Sequence, residues 1–120
     1  MYTTPWMVNL TQTADADLEA ILDYTAQHHG LRQLDAYAAL IESAVRDLSG
    51  QGDNAPLLQH RYTIAADLFS YPIARAGSTS PHHLYVSFAI KDSDRVVNIL
   101  RILHERMDPD LALKDQNYSL

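Results

Sequence analysis

The chain has no cysteine among its 120 residues, which excludes a disulfide framework and any thiolate metal site. Glycine is scarce too: four residues, none of them in a phosphate-binding loop, and neither G-x-S-x-G nor H-E-x-x-H occurs. No run approaches the ~18 apolar residues of a membrane span. The opening Met1-Tyr2-Thr3-Thr4-Pro5-Trp6 has neither the basic nor the apolar segment of a secretory leader. These absences lead to the expectation of a cytoplasmic protein with no membrane partner, no metal and no cofactor.

Cations are also in deficit. The net charge is −6 and the pI about 5.3, the wrong sign for finding a polyphosphate by long-range attraction, so direct nucleic-acid binding is not expected. The deficit is uneven: residues 1–59 carry eight carboxylates against Arg32 and Arg46, whereas residues 60–120 balance seven against seven and hold most of the arginines. The length suits one domain, 1–120, with a core that needs no covalent staple.

What is present is mostly periodicity. Residues 6–12 alternate loosely and predict a first strand. Thr13 offers an N-cap for a helix over about 14–28, with Leu18, Ile21, Leu22 and Thr25 along one stripe and Gly30 as its left-handed end. Leu34, Tyr37, Ala38, Ile41, Val45 and Leu48 then recur at a spacing only a second helix satisfies. The short connection between them forces an antiparallel helical hairpin. Residues 68–76 alternate as a strand in which Pro72 points to an edge or bulge. Leu84, Val86, Phe88 and Ile90 line one face of the next strand, and Lys91-Asp92-Ser93-Asp94 turns it into a last strand over 95–104. Residues 54–67 read either as a short strand at Arg61–Ile64 or as an enlarged loop. The expected class is α+β, the hairpin packed on a small antiparallel sheet.

The last strand, Ile99-Leu100-Arg101-Ile102-Leu103-His104, interrupts an apolar run with one cation and one imidazole. Period two puts Arg101 with Ile99 and Leu103, and His104 with Leu100 and Ile102, unless a bulge intervenes. The plainer reading makes Arg101 a paired, partly buried ion and His104 a cap on the strand end. A general acid–base nuclease is the chemical alternative, His83 or His104 moving protons while Arg75 or Arg101 stabilises a phosphorane. His28-His29 and His82-His83 lack standard metal-ligand spacing.

Thr13-Ala14-Asp15-Ala16-Asp17-Leu18-Glu19-Ala20-Ile21-Leu22-Asp23-Tyr24, Gly30 followed by Tyr37 and Leu40, Leu84-Tyr85-Val86-Ser87-Phe88, and Ile99–His104 leading to Met107-Asp108 occur in an order that resembles the ParE toxins of bacterial toxin–antitoxin modules, within the RelE/ParE superfamily. The resemblance covers about residues 7–49 and 68–113. It implies a toxin that inhibits DNA gyrase by binding and forms a hetero-oligomer with a ParD-like antitoxin, with no catalytic site of its own. The RelE-like branch, which cuts mRNA on the ribosome, is the runner-up. Where members of the family often carry Leu-Arg and Tyr-Arg, this chain has Leu68-Phe69 and Phe88-Ala89, and its acidic balance disfavours ribosomal RNA. A diverged, non-toxic antitoxin-binding module is the third reading. Arg75, Tyr85, Arg101, His104 and Arg106 are the candidates for the target- or antitoxin-binding surface, with an amphipathic segment of the antitoxin laid in the groove between hairpin and sheet.

Overall fold

The computed structural model describes residues 5–73 and 81–114. The chain runs β1 (Met7–Leu10), α1 (Gln12–Gln51), a 3-10 turn (Gly52–Asn54), β2 (Gln59–His60), β3 (Phe69–Pro72), β4 (His82–Lys91), β5 (Asp94–His104) and α2 (Pro109–Lys114). The strands form one sheet in the order β1-β5-β4-β3-β2.

Although α1 counts 40 residues, it is bent into two arms at Gly30, whose φ of 83° and ψ of 175° are non-helical. A straight helix of that length would span ~60 Å, more than the largest extent of the molecule, 42 Å. The second arm comes back beside the start of the first. There Trp6 N donates to Ser49 O (2.8 Å) and Ser49 Oγ donates to Trp6 O (2.9 Å). The expected hairpin is therefore present, turning through an extended positive-φ conformation open almost only to glycine rather than the left-handed helical one.

Capping differs from the expected position by two residues. Thr11, not Thr13, caps α1: its Oγ1 accepts from Ala14 N (3.2 Å) and donates to Ile99 O (2.8 Å). Its hydroxyl both closes the helix and ties it to β5, and those two hydrogen bonds distinguish Thr11 from Thr13.

The sheet is mixed, not wholly antiparallel. β1 pairs in parallel with β5, Met7 opposite Val96 through Leu10 opposite Ile99. This corrects the expected antiparallel sheet: strand periodicity carries no information on direction, so nothing in the spacing could reveal the parallel pairing of β1. Elsewhere the meander holds. β4 and β5 are joined through Asp92 (φ 50°) and Ser93 (φ 72°), a two-residue turn with both φ positive. Pro72 pairs with His83, while β2 covers only Phe69 and Ser70, so its missing N–H faces an unpaired edge. Residues 74–76 of the expected strand lie outside the described residues. Segment 54–67 supplies the edge strand β2, one step before the expected Arg61–Ile64, which instead turns, with Ile64 N and Ala65 N donating to Arg61 O.

Two apolar clusters flank the sheet. The larger packs both helix arms (Leu18, Ile21, Leu22, Ile41, Ala44, Leu48) on Leu84, Val86, Val97, Ile99 and Ile102. The smaller lies on the opposite face, where Leu68, Tyr85, Leu100 and Leu103 are covered by Leu113 of α2. No described helix is long and apolar enough to cross a membrane.

Candidate functional site

A β-bulge decides where the last strand points its side chains. Tyr85 pairs with Arg101 but Val86 pairs with Ile99, leaving Leu100 as the extra residue. Facing therefore switches at Leu100. Ile99 and Ile102 meet the helices, while Leu100 and Leu103 turn to the smaller cluster. Arg101 keeps company with Leu103 but not with Ile99, and His104 with Ile102 but not with Leu100, a correction to strict period two. Arg101 and His104 stay on opposite faces.

Beyond Leu10 the free edge of β5 has no strand partner, and Asp17 of α1 takes that role. Its Oδ2 accepts from Ile102 N (3.0 Å) and from Arg101 Nε (2.7 Å), and its Oδ1 accepts from Arg101 Nη2 (3.1 Å). Arg101 Nη1 donates to Ala112 O of α2 (3.2 Å). With side-chain exposures of 18% and 16%, the pair is a partly buried, bidentate brace joining both helical elements across the sheet edge.

The other candidates scatter. Tyr85 is buried, 6% exposed, within the smaller cluster. Burial pushes its phenol up, against the opposing pull of Arg61. Arg106 is exposed and its backbone N–H donates to His104 Nδ1 (3.0 Å), closing the strand end. Arg75 lies outside the described residues. His83 shares the face of Arg101 across Leu103. Burial, then the nearby Arg61 charge, lowers its pKa against a smaller opposite effect of Glu105, and its Nδ1 is buried without a hydrogen-bond partner.

His104 belongs to a constellation that spacing alone could not assemble. Where the hairpin bend meets the ends of β4 and β5, a cleft of about 470 Å³ is lined by Tyr24, Thr25, His29, Gln33, Ala36, Tyr37, Leu40, Pro81, His82 and His104. Tyr37 OH and His82 Nδ1 share a hydrogen bond of 2.6 Å, and the two rings meet edge to face. His82 meets His104 the same way at 5.2 Å, and Tyr24 stacks on His28 at 4.3 Å. Burial, reinforced by His104 and His83 and opposed weakly by Glu105, lowers the His82 pKa to about 4, so its imidazole is neutral at physiological pH. The sequence had marked Thr25 and Tyr37 on helix stripes and His82 and His104 near strand ends, but carried no signal that they share one wall. Among the described residues no three His, Asp or Glu side chains are grouped to hold a metal ion.

A bent helical hairpin laid on a mixed five-stranded sheet, with a ring-lined cleft where they join, is the architecture against which known proteins can be compared. The profile of the ParE toxin of the type II toxin–antitoxin system parDE matches residues 8–109, and the chain belongs to that family. The Toxin ParE of Escherichia coli is 30% identical over 108 residues, 89% of this chain and 92% of that protein. The chromosomal ParDE system from P. aeruginosa contains a chain of the same fold, with a TM-score of 0.61 and 22% identity over 85% of this chain and 98% of that one.

Proposed function

We propose that this chain is the toxin of a two-component module: it inhibits DNA gyrase by binding and is neutralised by a ParD-like antitoxin. The observation that carries the reading is the family match across residues 8–109. The E. coli relative and the ParDE fold neighbour support the same module. Inhibition by binding needs an anchored surface rather than a convergent acid and base. Arg101, the cation a nuclease would use in the last strand, is instead engaged by Asp17 and the Ala112 carbonyl, and the net charge of −6 opposes docking on RNA.

The test is induced expression in a bacterial host with and without the adjacent small open reading frame, scoring growth and plasmid supercoiling. Arrest with loss of supercoiling, relieved by the neighbour, is expected. Arrest with intact supercoiling and cleaved mRNA would replace gyrase by the ribosome as target, and no arrest would leave only antitoxin binding.

A further inference from the structure

On the sheet face turned away from the helical hairpin, Arg61 is anchored without being neutralised. It follows β2, in the segment between the two stretches that carry the family resemblance, and its backbone N–H donates to Leu68 O (2.8 Å). Its Nε donates to Oγ of the fully buried Ser70 (2.8 Å), which fixes the plane of the guanidinium. Among the described residues no carboxylate lies within ion-pair distance of it, and neither Nη has an acceptor. Ser70 stands opposite Tyr85, and His83 lies two residues before Tyr85 in β4, so Ser70, Tyr85 and His83 share this face.

Two further donors meet Arg61 there. Tyr85 buries its ring in the smaller cluster, but its hydroxyl has no hydrogen-bond partner among the described residues. His83 Nδ1 is buried without a partner, and a buried bare N–H is the costlier orphan, so the neutral ring keeps its proton on Nε2. The Arg61 charge reaches both: after burial it is what lowers the His83 pKa, and it works against the burial-driven rise at Tyr85. The exposed Glu105 is the carboxylate felt at His83, and its effect is smaller than that of Arg61. Arg101, opposite Tyr85 in β5, is already paired with Asp17. A guanidinium edge, a phenol O–H and an imidazole N–H with no acceptor of the protein's own form a donor set for an oxyanion. Strand geometry separates Tyr85 and His83 by ~7 Å, a gap spanned by one group accepting at ~2.8 Å on each side. Three donor directions suit the three terminal oxygens of a phosphate better than the two of a planar carboxylate. The net charge of −6 repels a polyanion far more than a single phosphate carrying about −1.5 to −2.

We propose that Arg61, Tyr85 and His83 bind one phosphate group of a small ligand, as the free ion or a monoester, on the face of the sheet away from the hairpin. The inference goes beyond the toxin reading and is independent of it, since neither gyrase nor an antitoxin takes part. Arg61 supplies the charge and a two-pronged contact, while Tyr85 and His83 donate to the remaining oxygens. A bound anion favours the imidazolium, so His83 is easier to protonate when the site is filled.

The test is an NMR titration of the isotope-labelled full chain, at constant ionic strength, with inorganic phosphate, phenyl phosphate, acetate and a short single-stranded RNA. Either phosphate should give saturable shifts at Ser70, His83 and Tyr85 and raise the His83 pKa, with acetate binding at least tenfold more weakly. Arg61→Gln should weaken phosphate binding at least tenfold, the size of one hydrogen bond to a charged group. In the ligand-free chain the same substitution should raise the His83 pKa, which loss of the Ser70 bond alone would not do. Tyr85→Phe keeps the ring in its cluster and should weaken phosphate binding roughly tenfold with an unchanged far-UV circular dichroism. Tighter binding of phenyl phosphate assigns the site to an ester, and tighter binding of inorganic phosphate assigns it to the free ion. Absence of saturable shifts, equal binding of acetate, a His83 pKa unmoved by phosphate, or indifference to both substitutions overturns the proposal. Tighter binding or cleavage of the RNA overturns it too, by making this face a nucleic-acid site. Phosphate binding by a chain that never arrests growth upholds the site and removes the toxin reading, and arrest by a chain with no phosphate shifts does the reverse.

Discussion

Removing the Arg101 guanidinium would leave Asp17 with its Ile102 bond alone and the Ala112 carbonyl without its donor. Arg101→Ala should therefore cost about 1–2 kcal/mol in urea unfolding, the modest end for a charged hydrogen bond because the pair is partly solvated. Arg101→Lys, which keeps the charge but loses the fork, should fall between the two. Gly52 is more sensitive. It caps α1 at a φ of 54°, and a Cβ there would overlap the indole of Trp6, which is itself packed on Phe88 and lies 5.0 Å beneath Arg95. Gly52→Ala should destabilise by about 3 kcal/mol or more and shift the fluorescence of the single tryptophan. Gly30→Ala meets no neighbouring atom, so its cost should be purely conformational, about 1–3 kcal/mol. A chain indifferent to Gly30→Ala would remove the hairpin bend from this account.

At the scale of elements, α2 is small but covers the second face of the sheet with the fully buried Leu113, Ala112 packing beside it. Leu113→Ala should cost about 2–4 kcal/mol and expose Leu68, Leu100 and Leu103, detectable as new binding of a hydrophobic dye. The two arms of α1, the β4–β5 turn and the edge position of Pro72 were all legible from spacing and turn chemistry, because local preferences and the native fold agree there. The parallel pairing of β1 was not legible, since a strand's pattern is the same in either direction. Nor was the bulge at Leu100, since an inserted residue reverses facing without changing composition. α2 went unpredicted despite a readable signal: Asp108 before Pro109 is a cap followed by a first-turn proline, and Asp108 Oδ1 accepts from Asp110 N (3.0 Å). For the site, spacing reached Tyr37 and His104 separately. Only the bend at Gly30, which brings Tyr24 and Tyr37 to one wall, and the pairing of His82 with His104 unite them in one cleft.

For the whole molecule, acidity should weaken the fold through its imidazoles. His82 in the folded chain has a pKa near 4, below the ordinary 6.5, and His83 is lowered as well. The unfolded chain therefore takes up protons first as pH falls. Stability from this source is complete above pH 6.5, declines as pH falls towards 4, and then levels off. With the His82 ring only about half buried, solvent screening reduces the effect to on the order of 1–2 kcal/mol. Urea midpoints should fall between pH 7.5 and 5, and His82→Gln should flatten that slope. A slope unchanged by the substitution would assign the loss to other groups.

The parallel pairing of β1 also has a consequence in time. The strand that opens the fold finds its partner among residues 96–99, and Asn9 Nδ2 donates to Asn98 Oδ1 (3.1 Å) across 89 positions of sequence. At translation rates of about 5–20 residues per second, several seconds separate the two strands' emergence from the ribosome. Throughout that interval the hairpin has no finished sheet to lie on, and neither the cleft nor the Asp17–Arg101 brace exists. The cleft and the brace are thus among the last features of the chain to form, and a truncated translation product would display neither.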